Sequence, residues 1–190
     1  SVMVVFASDG RRGDPEGLRR GRDLAAIRRR EARVAAKALG VRRLEFWDLP
    51  DGRLSGARGL SARIGELLRR ERPAVVYRPG VRDPHPDHRA VGRAFLKAAR
   101  AHPGPLWDCA YEIYDGAGPA SALDVTREFP AKLRALRAYR SQLASTDWTT
   151  RVRRRAAARG LALGETRFAE GFEVSPPPRT GGPAHRRGAA

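Results

Sequence analysis

Short apolar runs alternate with segments of helical period through the first half of the chain. Residues 2–7 form a continuous apolar run that ends at Ser8, Asp9 and Gly10, which predicts a buried strand followed by a tight loop. Strands and helices are predicted in alternation at 2–7, 23–39, 44–47, 60–70 and 74–77. This order is typical of an α/β fold in which parallel strands are joined by crossover helices.

The second half of the chain shows the same two periods with less regular spacing. It predicts a helix at 89–100, strands at 107–114 and 123–125, a helix at 132–143 and a last strand at 167–174. From Ser175 onward the chain contains three consecutive prolines and no apolar periodicity, so residues 175–190 are predicted to be a disordered tail. The length of 190 residues suits one domain, which we place at 1–174.

The basic charge of the chain suggests nucleic acid as a partner, but the distribution of that charge does not. Lys and Arg total 38 against 21 Asp and Glu, which gives a net charge of +17. Only three of the basic residues are lysines, and the abundance of Arg, Ala, Gly and Pro is typical of G/C-rich codons. The arginines are spread over nearly every predicted helix, with one dense run at 151–155. We therefore expect no specific nucleic-acid partner, with a basic nucleic-acid-binding protein as an alternative.

Membrane-spanning and secreted proteins are disfavoured by the apolar runs and the cysteine content. No apolar run approaches the roughly 18–20 residues that a membrane span needs, so we expect no membrane span. The run at 2–7 has no basic region before it and no small-residue cleavage pattern after it, unlike a secretory signal. Cys109 is the single cysteine and cannot form an internal disulfide, which points to a cytoplasmic location.

The segment His85-Pro86-Asp87-His88 is the strongest candidate for chemistry. It contains two of the four histidines and lies between a predicted strand and a predicted helix, where open α/β sheets bind ligands. Pro84 and Pro86 restrict the backbone and hold the imidazoles in a fixed direction, which suits a metal or catalytic site. The alternative is that His85 and Asp87 simply cap the helix that follows.

Six further motifs accompany this segment. They are Ser8-Asp9-Gly10, Arg28-Arg29-Arg30-Glu31, Leu49-Pro50-Asp51-Gly52, Asp124-Val125-Thr126, Tyr139-Arg140-Ser141-Gln142 and Ala169-Glu170-Gly171-Phe172. In this order, with His85 to His88, they resemble the PIG-L/LmbE-like family of zinc-dependent N-acetylglucosaminyl deacetylases. The resemblance covers residues 2–174 and implies a Rossmann-like fold, with a mostly parallel sheet flanked by helices.

The resemblance also implies a role for each matching residue. His88 matches a zinc ligand, and imidazole is an ordinary zinc donor. His85 matches the histidine that stabilises the tetrahedral oxyanion as an imidazolium and then protonates the departing amine. Asp87 matches the carboxylate that orients His85, and Arg28 and Asp51 match positions that contact sugar hydroxyls. The implied cofactor is Zn²⁺, and the implied partner is a small N-acetylated sugar conjugate, with the oligomeric state left open.

One motif of the family is absent from this chain. The family has a His-Pro-Asp-Asp motif at the end of its first strand, which supplies two metal ligands and the general base, and this sequence contains no such motif. No pattern places Asp83, His102 or His185 as a replacement. We therefore expect an N-terminally shortened chain that lacks the first strand and helix, with a sheet open in its middle. Such a chain would be weakly active or inactive, and a noncatalytic relative is the alternative.

Overall fold

The computed structural model describes residues 1–13, 17, 23–114, 121–164 and 166–177. Within these residues the strands are β1 (Met3–Ser8), β2 (Arg43–Leu49), β3 (Val75–Pro79), β4 (Trp107–Tyr111), β5 (Ser121–Asp124) and β6 (Ala169–Ser175). The helices are α1 (Leu24–Ala38), α2 (Leu60–Glu71), α3 (Pro86–Ala99), α4 (Phe129–Arg137), α5 (Arg140–Leu143) and α6 (Trp148–Leu163), with a 3₁₀ turn at Leu54–Gly56. Strands and helices alternate through the first half, so the predicted α/β class is confirmed.

The first sheet consists of β1 and β2, which pair in parallel and are connected by α1. Phe6 and Phe46 are register partners, and their rings stack with centroids 5.0 Å apart. The guanidinium groups of Arg29 and Arg33 on α1 lie 5.5 and 5.3 Å from the centroid of Phe46. An arginine has an apolar stem, and its guanidinium interacts favourably with an aromatic face. Arginines of α1 can therefore cover this aromatic surface.

The second sheet has the strand order β3, β4, β6, β5 and mixes both pairing directions. β3 and β4 are parallel, whereas β6 runs antiparallel to both β4 and β5. The prediction of a mostly parallel sheet therefore holds for β1 to β4 and is wrong for β5 and β6. The hydrophobic pattern of a strand reports which of its faces are buried, and it contains no signal for the direction of its neighbour.

The two sheets are separated between β1 and β3. In the described part of the chain, β1 pairs with β2 alone and β3 pairs with β4 alone, so no hydrogen-bonded strand pair connects the two sheets. Val5 of β1 and Val76 of β3 nevertheless pack against the same buried cluster. Its members are Trp47, Leu60, Ile64, Leu68, Phe95, Ala98 and Leu106. Helices α2 and α3 therefore provide the core that joins both sheets.

A second core lies between α4, α6 and the strand β6, and α6 is absent from the sequence-based prediction. Phe129 and Phe168 stack with ring centroids 4.0 Å apart, and Leu133 and Ala156 complete the cluster. Only two residues of α6, Ala156 and Gly160, are buried, so its apolar stripe is too narrow to show as helical periodicity. A Cβ at Gly160 would lie 2.3 Å from the carbonyl oxygen of Thr166, so only glycine permits this close approach.

Several predicted boundaries shift in the structure. The strand expected at 107–114 ends at Tyr111, and the helix expected at 132–143 is two helices, separated by the non-helical backbone of Tyr139. Ser175 belongs to β6, and residues 178–190 of the predicted tail lie outside the described residues. No helix in the described ranges is long and apolar enough to cross a bilayer.

A buried ion pair joins β3 to β4 next to α3. The Nε and Nη2 atoms of Arg78 donate to the two carboxylate oxygens of Asp108, each at 2.7 Å. Nη1 of Arg78 donates to the carbonyl oxygen of Pro79 at 3.0 Å, and its guanidinium lies 5.3 Å from the ring centroid of Phe95. Both charged side chains are only 10 and 13% exposed, so each depends on the other for its solvation.

We expect Asp108→Ala to lower the free energy of unfolding by about 3–5 kcal/mol, because it leaves the Arg78 guanidinium buried without its counter-charge. The double variant Arg78→Met with Asp108→Leu is expected to recover most of this loss, since no charge then remains buried. Urea denaturation followed by circular dichroism measures both. Asp147→Ala, which removes an exposed helix cap, is the control and should cost about 1 kcal/mol. A double variant as unstable as the single one would contradict the electrostatic explanation.

Candidate active site

Hydrogen bonds connect the three loops that follow β1, β2 and β3. The hydroxyl of Ser8, at the end of β1, donates to Oδ1 of Asp51 at 3.3 Å. The N–H of Gly52, the residue after Asp51, donates to Oδ2 of Asp87 at 2.7 Å. Polar residues from three consecutive strand ends therefore lie at the edge where α/β sheets bind ligands.

His85 begins α3 as its N-cap residue. Its Nδ1 accepts a hydrogen bond from the backbone N–H of Asp87 at 3.2 Å, and Pro86 occupies the first turn of the helix. A ring nitrogen that accepts an N–H carries no proton, so in the neutral ring the proton is on Nε2. The capping role suggested by the sequence is therefore present, and it also fixes the tautomer of His85.

His88 is held by the buried carboxylate of Asp83. Oδ1 of Asp83 lies 3.0 Å from Nδ1 of His88 and also accepts the backbone N–H of His85 at 2.8 Å. Because a carboxylate only accepts, Nδ1 of His88 carries the proton and Nε2 keeps its lone pair. Burial lowers the pKa of His88 below its ordinary value, although the charge and hydrogen bond of Asp83 act in the opposite direction. The lowered pKa favours the neutral ring.

The two histidines thus differ in what their Nε2 atoms offer. Their ring centroids are 4.5 Å apart. Nε2 of His88 offers a lone pair, which suits a metal ion, whereas Nε2 of His85 offers an N–H, which suits an oxyanion. Either function requires a fixed ring orientation, and in both residues the Nδ1 atom is already held by a hydrogen bond.

The carboxylate of Asp87 contacts a different partner from the one predicted. Its two oxygens accept the backbone N–H groups of Gly52 and Leu54 at 2.7 and 3.0 Å, and it is 3% exposed. Only its backbone N–H reaches His85. The expectation that this carboxylate orients His85 stays a prediction: the described hydrogen bonds of its oxygens hold the loop after β2, and the N-cap hydrogen bond holds the ring of His85.

Arg28 and Asp51 both contact the loop after β1. Nη2 of the buried Arg28 donates to the carbonyl oxygen of Gly13 at 2.8 Å, and Oδ2 of Asp51 accepts the N–H of Arg12 at 3.0 Å. Asp51 precedes Gly52, whose N–H binds Asp87, so it belongs to the same set of loops. The structure brings Asp51 to the histidine loop and places Arg28 behind the first loop, and their contacts with a sugar stay a prediction.

Two of the sequence motifs meet each other next to Arg28. Glu31, the last residue of the Arg28–Glu31 motif, accepts the backbone N–H of Ser141 at 2.7 Å and also accepts its hydroxyl. Burial and the charge of Glu31 raise the pKa of Tyr139, in the motif that contains Ser141. These motifs, separated by 110 positions, therefore fix α1 against α5.

A small cavity of about 120 Å³ adjoins Asp83 on the side of β4. Tyr111 and Tyr114 line it, together with Pro84 and Glu112. Burial raises the pKa of Tyr111 to about 12, with a smaller contribution from the negative charge of Asp83. A larger groove of about 850 Å³ lies between α2 and α3, and its lining includes neither His85 nor His88.

The described residues do not by themselves fit a catalytic zinc centre. Such a centre needs three protein ligands and an open position for water. His88 has a suitable free nitrogen and a carboxylate on the opposite ring atom, as zinc-binding histidines usually do. Over the described ranges, however, no three His, Cys, Asp or Glu side chains group as a metal site would require. The predicted Zn²⁺ therefore has His88 as its single described donor.

Comparison with known protein families identifies the chain. The family model described as PIG-L, GlcNAc-PI de-N-acetylase, matches residues 1–99. The chain belongs to this family. The region that matches contains β1 to β3 and α1 to α3, with both histidines and the residues that hold them.

Individual relatives of this PIG-L protein extend the match over nearly the whole chain. The diacetylchitobiose deacetylase of Thermococcus kodakarensis is 28% identical over 195 residues, which cover 92% of this chain and 72% of the relative. The solved N,N'-diacetylchitobiose deacetylase of Pyrococcus horikoshii is 27% identical with a TM-score of 0.81, covering 93% of this chain and 73% of that one. The 4-carboxy-2-hydroxymuconate hydratase of Pseudomonas putida is 25% identical with a TM-score of 0.72, covering 95% and 86%. The Rossmann-like fold of these relatives confirms the predicted fold class.

Sequence reasoning missed Asp83 as a site residue of this PIG-L protein. No pattern places Asp83 as a replacement metal ligand. In the structure its carboxylate accepts hydrogen bonds from the ring of His88 and from the backbone N–H of His85. Its position two residues before His85 is the signal that was available, because an Asp that accepts the N–H two residues ahead is a common turn geometry.

We expect Asp83→Ala to release the ring of His88 and populate both of its neutral tautomers, whereas Asp83→Asn keeps the Nδ1–H form, because its amide oxygen still accepts. Long-range ¹H–¹⁵N correlation spectra of the imidazoles measure the tautomers, and His88→Gln assigns the signals. An unchanged His88 tautomer in Asp83→Ala would contradict the assigned role.

We expect the folded protein to lose stability as the pH rises from about 10 to about 12, because an unfolded tyrosine ionises near 10 while the pKa of Tyr111 is raised to about 12. The protonated phenol is favoured in the folded state, so its stabilisation is complete below this window and lost above it. Tyr111→Phe should remove the last step of the tyrosinate absorbance titration and flatten the decline. Tyr77→Phe, on the exposed part of β3, should leave that last step in place. A last step that survives Tyr111→Phe would be inconsistent with this assignment.

Proposed function

We propose that this protein hydrolyses the acetyl amide of an N-acetylated amino sugar, releasing acetate and a free amine. The observation that carries this proposal is the pair of complementary imidazoles, an Nε2–H on His85 and an Nε2 lone pair on His88, in rings whose centroids lie 4.5 Å apart. The substrate class is supported by two relatives that are named as diacetylchitobiose deacetylases.

The reaction consumes water at the acyl carbon of the amide. Attack places negative charge on the acyl oxygen, and a positioned N–H donor stabilises that charge more than it stabilises the neutral carbonyl. His85 supplies this donor through Nε2, since its Nδ1 is occupied by the N–H of Asp87. Collapse of the tetrahedral species breaks the C–N bond, and the proton that the attacking water gives up ends on the nitrogen, which leaves as an amine.

The tautomer assigned from this hydrogen bond changes how His85 is expected to act. The family resemblance implies an imidazolium, which would carry protons on both ring nitrogens. In this structure Nδ1 faces the N–H of Asp87, so a proton there would have no acceptor and would meet another donor. We therefore infer that His85 begins the reaction as a neutral Nε2–H donor.

The other predicted residues complete the proposal. Asp87 holds the loop after β2, and through it Asp51, in place next to the histidines. Arg28 and Asp51 are proposed to bind sugar hydroxyls. Zn²⁺ stays a prediction from the family, with Nε2 of His88 as one ligand, and so do weak activity and a cytoplasmic location.

A second function has a specific observation in its favour. The hydratase from Pseudomonas putida is 25% identical, and its match covers more of both chains than the deacetylase matches do, so the same fold supports the addition of water to a substrate that carries no acetyl amide. The deacetylases match at 27 and 28% identity, which makes amide hydrolysis the better supported reaction. Both reactions need an activated water and a positioned acid. An assay of each substrate therefore distinguishes the two functions.

The test is acetate release from N-acetylglucosamine and N,N'-diacetylchitobiose, measured with the 190-residue chain with and without added Zn²⁺. We expect a slow release that falls about 10²- to 10⁴-fold in His85→Ala, because a positioned proton donor contributes this much. His88→Ala should abolish it.

His102→Ala is the matched control, since His102 lies at the opposite end of α3 and should leave the rate unchanged. Acetate release that is equal in His85→Ala and in the unaltered protein would overturn the proposal. The absence of release, together with hydration of 4-carboxy-2-hydroxymuconate, would favour the second function, and the absence of both would favour a noncatalytic relative.

A further inference from the structure

A continuous row of aromatic rings extends from the two histidines across the surface. Tyr114 stacks on His88 with centroids 6.0 Å apart and planes inclined by 21°, and Trp148 meets Tyr114 edge-on at 6.2 Å. With the step of 4.5 Å between His85 and His88, the row contains four rings. Both Tyr114 and Trp148 are half-buried, so each keeps part of its ring accessible.

Helix α6 fixes this row through its arginines. Arg159 donates to both carboxylate oxygens of Glu112 at 2.6 and 3.0 Å, and Arg155 donates to the carbonyl oxygen of Ile113. These contacts anchor α6 to the segment that ends in Tyr114. Trp148 is the first residue of α6, so the same contacts place it against Tyr114.

The first turn of α6 adds a charged group beside the rings. Asp147 caps the helix by accepting the N–H of Thr150 at 3.0 Å, which fixes the backbone on either side of Trp148. The guanidinium of the exposed Arg151 lies 5.5 Å from the ring centroid of Trp148. Aromatic faces with an adjacent hydrogen-bond donor form an amphipathic surface.

Sugar rings match such a surface. A pyranose has faces made of C–H groups, which pack on aromatic rings, and a rim of hydroxyl groups, which accept hydrogen bonds from donors such as guanidinium. An aromatic face that is rigid and half-exposed loses little entropy when it binds a ring. The position next to the reactive histidines assigns this surface to a part of the substrate that does not itself react.

We propose that Tyr114 and Trp148 bind the second sugar ring of a disaccharide or longer glycan, whose N-acetylated first ring lies at His85 and His88. This proposal rests on the proposed function for the placement of the first ring. Arg151 then donates to the hydroxyls of the second ring. The row gives the site a preference for disaccharides over monosaccharides, because only the longer substrate covers Tyr114 and Trp148.

The experiment compares the affinities of N,N'-diacetylchitobiose and N-acetylglucosamine for the full chain by isothermal titration calorimetry. Acetate is assayed in the cell afterwards, which separates binding from turnover. We expect the disaccharide to bind about 3- to 10-fold more tightly, the range that corresponds to one or two ring-stacking contacts. Trp148→Leu should abolish this preference without changing the affinity for the monosaccharide, and Trp148→Phe should retain most of it.

Trp107→Leu is the matched control, because Trp107 is an exposed tryptophan at the start of β4, whereas the histidine loop follows the opposite end of its neighbour β3. If Trp148→Leu fails to fold by circular dichroism, Tyr114→Leu and Tyr114→Phe carry the same comparison. A preference that survives the loss of the ring at 148 or 114 would overturn the proposal, and so would equal affinities in the unaltered protein.

The calorimetry and the acetate assay distinguish a failure of the sugar subsite from a failure of the proposed hydrolysis. A ring-dependent preference for the disaccharide without acetate in the cell would support the sugar subsite and contradict the proposed hydrolysis. Tighter binding of phenyl N-acetylglucosaminide than of the disaccharide would overturn the assignment to a second sugar, because it would identify an aromatic substituent as the occupant.

Discussion

The buried carboxylate of Asp87 is the contact on which the site and the joining of the two sheets both depend. It lies in the first turn of α3, which follows β3, and it accepts two backbone N–H groups from the loop after β2. Since β2 and β3 belong to different sheets, this carboxylate fixes one sheet against the other. A charged acceptor with two amide donors makes strong hydrogen bonds, and a buried amide without an acceptor is costly. The same residue provides the N–H that fixes the ring of His85.

Several arginines of this protein attach its helices and strands to one another. Arg29 and Arg33 cover the aromatic face of the first sheet, Arg78 pairs with Asp108 between β3 and β4, and Arg159 pairs with Glu112 to anchor α6. In each case the planar guanidinium packs on a ring or forms a two-point contact with a carboxylate, which lysine does not do as well. Arg78 and Arg159 are each paired with a carboxylate, so these attachments do not account for the net charge of +17.

The sequence predicts the elements up to α3 and the histidine loop because both are local features. A continuous apolar run identifies β1, and two histidines three positions apart identify the start of α3. Strand direction in the second sheet is not local, since it is set by which edges remain free after β3 and β4 have paired. Helix α6 escaped prediction for a related reason: ion pairs, one glycine contact and a narrow apolar stripe dock it, and these leave no clear hydrophobic period. Asp83 was missed because it acts through the ring of His88 and the backbone N–H of His85, contacts that no apolar period reports.

The site therefore divides into a local part and a distant part with different physical roles. Asp83, His85, Asp87 and His88 lie within six consecutive positions, and their mutual hydrogen bonds fix which ring nitrogen carries a proton. Proton positions must be exact to a fraction of an ångström, and a short, proline-restricted segment satisfies this with few degrees of freedom. The ring surfaces next to it come from the segment after β4 and from the start of α6. An ion pair between residues far apart in the sequence holds these two elements together. Stacking tolerates small displacements, so these surfaces need less exact positioning than the segment that fixes the proton positions.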